Sequence, residues 1–268
     1  MFSFLSNFFI KNRIECFAPL PLSACKVQKP YLLKRAGITD GTVFMLAVPY
    51  YTPFCNSALR NLSAYAVATD YHLFFEKLFA ELMFQLSSYY PQHRFAGFAD
   101  HSPIDEVDAA AKAGLGVIGK NGLLLTEQYS SYVFLGELIT DASLPVQAHP
   151  IAVCENCGAC YAACPMQHGG ECRSALTQKK GALSAEEEKQ LSLHPLVWGC
   201  DICQEVCPYT KRAIEKGTIY SPIPFFEQAP IATLTTQKLE ELLDTEFSSR
   251  AYSWRGKETI LRNLRLKG

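Results

Sequence analysis

Eight of the chain's 11 cysteines fall between Cys154 and Cys207, and their spacing restricts the fold more than any other feature. Cys154-x2-Cys157-x2-Cys160-x3-Cys164-Pro165 is the bacterial ferredoxin run. In that run three thiolates hold one [4Fe–4S] cluster and the fourth ligates its neighbour. A second run, Cys200-x2-Cys203-x3-Cys207-Pro208, is one cysteine short, and Cys172 between the runs fills the gap. The count gives Cys154, Cys157, Cys160 and Cys207 to one cluster, and Cys172, Cys200, Cys203 and Cys164 to the other. Zinc asks for paired cysteines at short spacing, not for duplicated three-plus-one runs that each end in proline. A disulfide scaffold would be short and cysteine-rich throughout, whereas Cys16, Cys25 and Cys55 are scattered over the first 150 residues. His168 and His194 lie nearby and read as solvated loop residues.

With 268 residues the chain is long enough for one large or two modest domains. A net charge of -1 with 49% hydrophobic residues excludes a disordered or strongly basic protein. No stretch is apolar and long enough to span a bilayer. The Phe-rich opening lacks a basic leader and a small-residue cleavage site, so a cytoplasmic protein is expected. The predicted class is α+β, an N-terminal α/β domain followed by a ferredoxin-like double-cluster domain. Residues 1–150 form the first, 151–210 the second, and 211–268 a C-terminal extension with a basic tail. Strands are expected at 43–48, 94–99, 123–126 and 132–140, and helices within 58–86, 106–113 and 236–243.

Gly114-Leu-Gly116-Val-Ile-Gly119-Lys120-Asn121 matches G-x-G-x-x-G by letters and nearly matches the phosphate loop. Both motifs need a strand before and a helix after. Here a helix precedes and a strand follows, and Asn121 replaces the hydroxyl that a magnesium site requires. Nucleotide binding is therefore set aside, and the loop is expected to bring its backbone against another large cofactor.

Several segments together resemble the epoxyqueuosine reductases. They are AAKAGLGVIGKN at 110–121, LGELITD at 135–141 and the double cysteine run ending GCDICQEVCP at 199–208. AYAVATDYH at 64–72, Asp100 with Pro103, ECRSALTQKKG at 171–181, and SWRGK at 253–257 with Arg262-Asn263 agree as well. The resemblance implies a cobalamin held in the α/β domain, electrons delivered through the two [4Fe–4S] clusters from an external low-potential donor, and epoxyqueuosine in tRNA as substrate. It implies an oxidoreductase that removes the epoxide oxygen as water, taking two electrons and two protons. Longer members continue into helical repeats that help hold tRNA, so this shorter chain is expected to grip tRNA less firmly.

The leaving oxygen needs a proton, and a carboxylic acid whose pKa is raised by burial can supply it. Asp100 is the candidate acid, from its place before the glycine loop and from the resemblance. Asp70 and His72 are expected to line the same pocket, with Gly114, Gly116, Gly119, Lys120 and Asn121 against the cofactor. His101 reads as a solvated turn residue. Arg250, Arg255, Lys257, Arg262, Arg265 and Lys267, with Tyr252 and Trp254, offer either a phosphate-binding tail or a basic helix that closes the domain. Two other functions fit the same residues: a corrinoid reductase of a small molecule, and a non-catalytic electron carrier.

Overall fold

The computed structural model describes residues 1–166 and 171–267. In chain order the first half holds α1 (Phe2–Lys11), β1 (Phe17–Pro21), α2 (Pro30–Ala36), β2 (Thr42–Pro49), α3 (Tyr71–Tyr89), β3 (Phe95–Phe98), α4 (Glu106–Lys112), β4 (Val117–Ile118), β5 (Leu124–Leu125) and β6 (Val133–Thr140). The second half is helical. It holds α5 (Ala159–Ala163), α6 (Arg173–Gln178), α7 (Ala185–Ser192), α8 (Ile202–Glu205), α9 (Pro208–Glu215), α10 (Thr236–Glu241), α11 (Asp244–Ser248) and α12 (Lys257–Arg265). Two compact units result. Met1–Pro49, His72–Cys157 and Pro208–Ile223 make the first; Tyr50–Tyr71, Gly158–Cys207 and Pro224–Gly268 make the second.

The first unit is built on an antiparallel sheet of order β1-β2-β6-β3. β2 is buried along its whole length, as the apolar run VFMLAV requires. α4 covers one face through Ala109, Ala110 and Ala111, whose small side chains let the helix lie close to β2 and β6. α3 covers the other face. There Gly97 and Gly136 leave room for rings: an added Cβ would lie 2.3 Å from Phe79 and 2.4 Å from Phe75. The molecule is thus a mixed α/β protein, and all four expected segments hold strands, β2 running one residue past its expected limits at each end.

β1, sequence FAPLP, adds a strand outside the expected segments; its two prolines are tolerated at the sheet edge, where a missing N–H costs little. One local expectation is corrected. The helix expected from residue 58 begins only at Tyr71. Residues 57–70 instead serve the second unit. Ser63 N–H donates to Trp198 O at 2.8 Å, and Ala64 N–H donates to the buried Asp201 carboxylate at 2.8 Å. Arg60 Nη1 donates to the same carboxylate at 2.6 Å. Leu62, Trp198, Leu234, Tyr252 and Ile260 form the core of that unit. Among the described residues, no helix is long and apolar enough to cross a membrane.

Candidate functional site

The glycine loop follows α4 and forms the β4–β5 hairpin, so its order is helix then strand, opposite to a dinucleotide fold. Gly116 and Gly119 are required by the hairpin itself. A Cβ on Gly116 would sit 2.4 Å from Leu125 O, one on Gly119 2.3 Å from Asn121 Oδ1, and one on Gly114 3.1 Å from the His149 ring. Gly116→Val should therefore lower the melting temperature whether or not cobalamin is present, because overpacking against backbone costs about 1–3 kcal/mol. An unchanged melting curve with selective loss of corrinoid would restore the original reading.

Two features of the loop do suit a ligand. Asn121 Oδ1 accepts the Leu123 N–H, but its amide Nδ2 is buried with no acceptor among the described residues, a donor that a bound cofactor would satisfy. An open cavity of about 500 Å³ borders Gly114 and Leu115, with Cys16, Thr126 and Lys216 among its walls. The loop also reaches the first cysteine. Lys120 N–H donates to Cys154 Sγ at 3.3 Å, and Cys154 N–H donates to Ile118 O at 3.0 Å.

All 11 cysteines are free thiols, so the donor set is intact for iron–sulfur ligation. Within the second unit α5, which carries Cys160, packs on α8, which carries Cys203. Burial pushes the Cys200 thiol up to about 11, and nearby Asp201, Cys172 and Cys203 push it the same way, which places those three cysteines in one neighbourhood. Among the described residues no three His, Cys, Asp or Glu side chains close around one point as the ligands of a single metal ion do. Burial pushes Cys16 up to about 11, Cys25 to about 12, and Cys55 upward, so these stay protonated. His168 lies outside the described residues. His194 is buried rather than solvated: its Nε2–H donates to Gly199 O at 2.9 Å, and burial lowers its pKa.

Asp100 closes β3 in the left-handed region, φ 62°. Its carboxylate pairs with His72 at 3.6 Å, with side-chain exposures of 69% for Asp100 and 50% for His72. The neighbouring His72 imidazole holds the Asp100 carboxyl below its usual range. This corrects the expectation of an acid raised by burial. The raised carboxyls lie beneath it. Glu106 and Glu137 face one another, and burial pushes Glu106 to about 7 and Glu137 well above the carboxylate range. Neither was singled out in the sequence. The available signal was parity: Glu137 shares its sheet face with Leu135 and Ile139, so it points where apolar residues belong. Asp70 sits in the second unit, its N–H donating to Ser249 O at 2.9 Å. His101 is exposed; Lys29 Nζ donates to its Nδ1 at 3.2 Å, which leaves the Nε2 proton for Tyr31 Oη at 3.1 Å.

The basic tail is largely engaged inside the second unit. Arg262 donates to Lys179 O at 2.7 Å and Gly181 O at 2.8 Å; buried Arg250 donates to Ala229 O at 2.8 Å. Lys267 donates to Leu191 O and His194 O, and burial lowers its pKa to about 8. Lys257 donates to Leu242 O at 3.3 Å. Tyr252 is fully buried and cannot stack a base. Exposed Trp254, under Arg255 at 3.7 Å, and exposed Arg265 are what the tail still offers a nucleic acid. The Arg-Asn motif is structural: Asn263 Nδ2 donates to Thr177 O at 2.7 Å and Val197 O at 2.9 Å. Asn263→Ala leaves two buried carbonyls unmet and should cost about 2–3 kcal/mol in urea unfolding. A loss below 0.5 kcal/mol would show that water replaces the amide.

No protein-family profile matches the chain. It is 33% identical over 210 residues to an epoxyqueuosine reductase of Lactococcus garvieae, covering 73% of this chain and 57% of that protein. It is 36% identical over 219 residues to one from Pseudomonas aeruginosa, covering 76% of this chain and 58% of that protein. The matches thus span a little over half the length of these curated relatives. Among solved structures, epoxyqueuosine reductase from Streptococcus thermophilus superposes with a TM-score of 0.77 at 23% identity, covering 100% of this chain and 80% of that chain. An epoxyqueuosine reductase bound to an epoxyqueuosine-modified tRNA-Tyr stem loop gives 0.75 at 22% identity, covering 99% of this chain and 81% of that chain. At these identities the structural likeness is one of fold.

Proposed function

We propose that this chain, a sequence relative of the epoxyqueuosine reductases, is an oxidoreductase that converts epoxyqueuosine to queuosine in tRNA. The proposal includes two [4Fe–4S] clusters on Cys154, Cys157, Cys160, Cys164, Cys172, Cys200, Cys203 and Cys207, and a corrinoid at the glycine loop. Residues 1–150 then serve corrinoid and substrate, 151–210 carry electrons, and 211–268 close the structure, in a cytoplasmic protein fed by an external low-potential donor. When bound, the corrinoid and clusters supply the two electrons that the reaction consumes. The observation that carries the reading is the Lys120 N–H to Cys154 Sγ bond, which ties the proposed corrinoid loop directly to the cysteine run.

The chain's own residues account for the protons and the docking. Asn121 Nδ2 offers the corrinoid an N–H. The His72 Nε2–Asp100 Oδ2 pair holds a proton at an exposed edge that a substrate reaches. General acid catalysis from such a pair protects the leaving oxygen from departing as an alkoxide. The test is anaerobic purification with added cobalamin, iron and corrinoid analysis, and an assay on tRNA carrying epoxyqueuosine. Loaded protein that reduces the modified base supports the reading; loaded protein inert toward it does not. A second reading, a corrinoid reductase of a small molecule, draws support from the basic residues held inside the fold. Protein with clusters but no affinity for cobalamin would instead be an electron carrier.

A further inference from the structure

Beneath the Asp100 turn two glutamates meet in a site that offers them few donors. Glu137 lies in the middle of β6, is fully buried, and is flanked in register by Met45 of β2 and Phe98 of β3. Its Oε1 accepts the Ser102 hydroxyl proton. Its Oε2 is buried without a donor as long as both carboxyls are ionised. The neighbouring acid is Glu106, on the first turn of α4, close enough for a side-chain hydrogen bond. Glu106 Oε1 in turn accepts the Asp100 N–H at 3.1 Å. Ser102 Oγ also accepts the Ile104 N–H at 3.0 Å. Each glutamate therefore grips one end of the turn: Glu106 holds residue 100 and Glu137 holds residue 102.

We propose that Glu106 and Glu137 are positioning residues that share one proton, and that this proton locks the left-handed turn presenting Asp100. With the proton in place, one carboxyl donates to the other and both grips are satisfied. Without it, two like charges face each other in a site shielded from water, and the grips on Asp100 and Ser102 separate. The surrounding charges do not supply a substitute. Lys112 is occupied by Asp108 at 2.8 Å and by Ala24 O at 2.9 Å, and Cys25 beside it is a protonated thiol. Lys29 and His101 are engaged with each other at the surface, and Asp100 itself adds negative charge. β2 and β3 present only apolar partners to Glu137.

Glu106→Gln is the discriminating variant. Its amide donates to Glu137 permanently, and its carbonyl oxygen still accepts the Asp100 N–H, so the lock no longer depends on a proton. A carboxyl raised in the folded state stabilises fully below the unfolded pKa, and that stability is lost as pH rises through the folded value. The melting temperature of the wild-type chain should therefore fall relative to Glu106→Gln as pH rises from about 4.5 through neutrality. Hydrogen exchange in the peptide spanning residues 98–104, corrected for its intrinsic pH dependence, should accelerate over the same window in wild type and not in Glu106→Gln. Glu106→Ala should be open at every pH. A pH-independent difference in both measurements overturns the proposal, and neither needs activity. The catalytic part rests on the function proposed above: the alkaline decline of turnover should be shallower in Glu106→Gln, keeping only the part that the His72–Asp100 pair contributes, and Glu106→Ala should lose up to about 100-fold through misplacement of Asp100. If wild type is inert on epoxyqueuosine tRNA while melting and exchange behave as stated, the substrate reading fails and the acid pair stands.

Discussion

Cys172→Ser, assembled without oxygen, should retain about half the iron of the wild-type chain, because in the proposed ligation one of two four-iron clusters loses a thiolate while the other keeps all four. The substitution is chemical rather than structural. Cys172 is exposed and is the N-cap of α6, a position that serine fills well. Its carbonyl still accepts the Leu176 N–H at 3.0 Å. α6 is held independently through buried Arg173, whose guanidinium donates to Gln190 at 3.2 Å. A change in iron content is then a change in ligation. Turnover should fall below detection, since an electron path with one cluster missing is broken. Cys55→Ser is the matched control: a buried thiol kept protonated, whose replacement should leave iron unchanged. Iron that is unchanged in Cys172→Ser, or zinc found at stoichiometry, would contradict the ligand count.

What the sequence disclosed follows from how locally each feature is encoded. β2 was legible because a strand buried on both faces is a continuous apolar run, and α4 because alanines can be packed anywhere a helix must come close. The order helix–glycines–strand was enough to reject a nucleotide loop. Residues 57–70 misled because their apolar spacing resembles a helix, while their backbone is held by Trp198 and Asp201, more than 130 residues away. For the basic tail the sequence left two alternatives, a phosphate-binding tail or a helix closing the domain, and could not choose between them for a related reason. A lysine or arginine reads as surface charge until a helix C-terminus or a turn presents carbonyls for it to bond, and Arg262, Arg250 and Lys267 all do this. The loop's Gly116 has a further requirement that the motif alone did not disclose, close approach to the Leu125 backbone. Glu137 was hidden in an apolar strand, where only its parity with Leu135 and Ile139 marked it. Its partner Glu106 looks like an ordinary first-turn helix acid until the fold places the two together.

Asp100→Asn should slow turnover by roughly 10²–10⁴-fold while both clusters and the corrinoid are retained. The structure makes asparagine the clean replacement. Asp100 adopts φ 62°, and asparagine is among the few residues that tolerate the left-handed region. The backbone N–H bond to Glu106 is untouched, and the side chain keeps its length beside His72. Asp100→Ala should be worse than Asp100→Asn in stability, by about 1–2 kcal/mol, because a Cβ without a local polar partner is strained there. The proton source is also redefined. Asp100 is exposed and its carboxyl is held in the charged form beside His72, so the proposed donor is the pair and not the carboxyl alone. His72→Gln, which can hydrogen-bond to Asp100 but cannot carry a mobile proton, should therefore impair turnover to a similar degree. It should also raise the Asp100 pKa toward the ordinary carboxylate range, because His72 is the main cause of its lowering. Wild-type rates in both variants would assign the pair a structural role in the turn. A defect in Asp100→Asn with a normal His72→Gln would mean that the carboxyl acts alone, taking its proton from solvent or substrate.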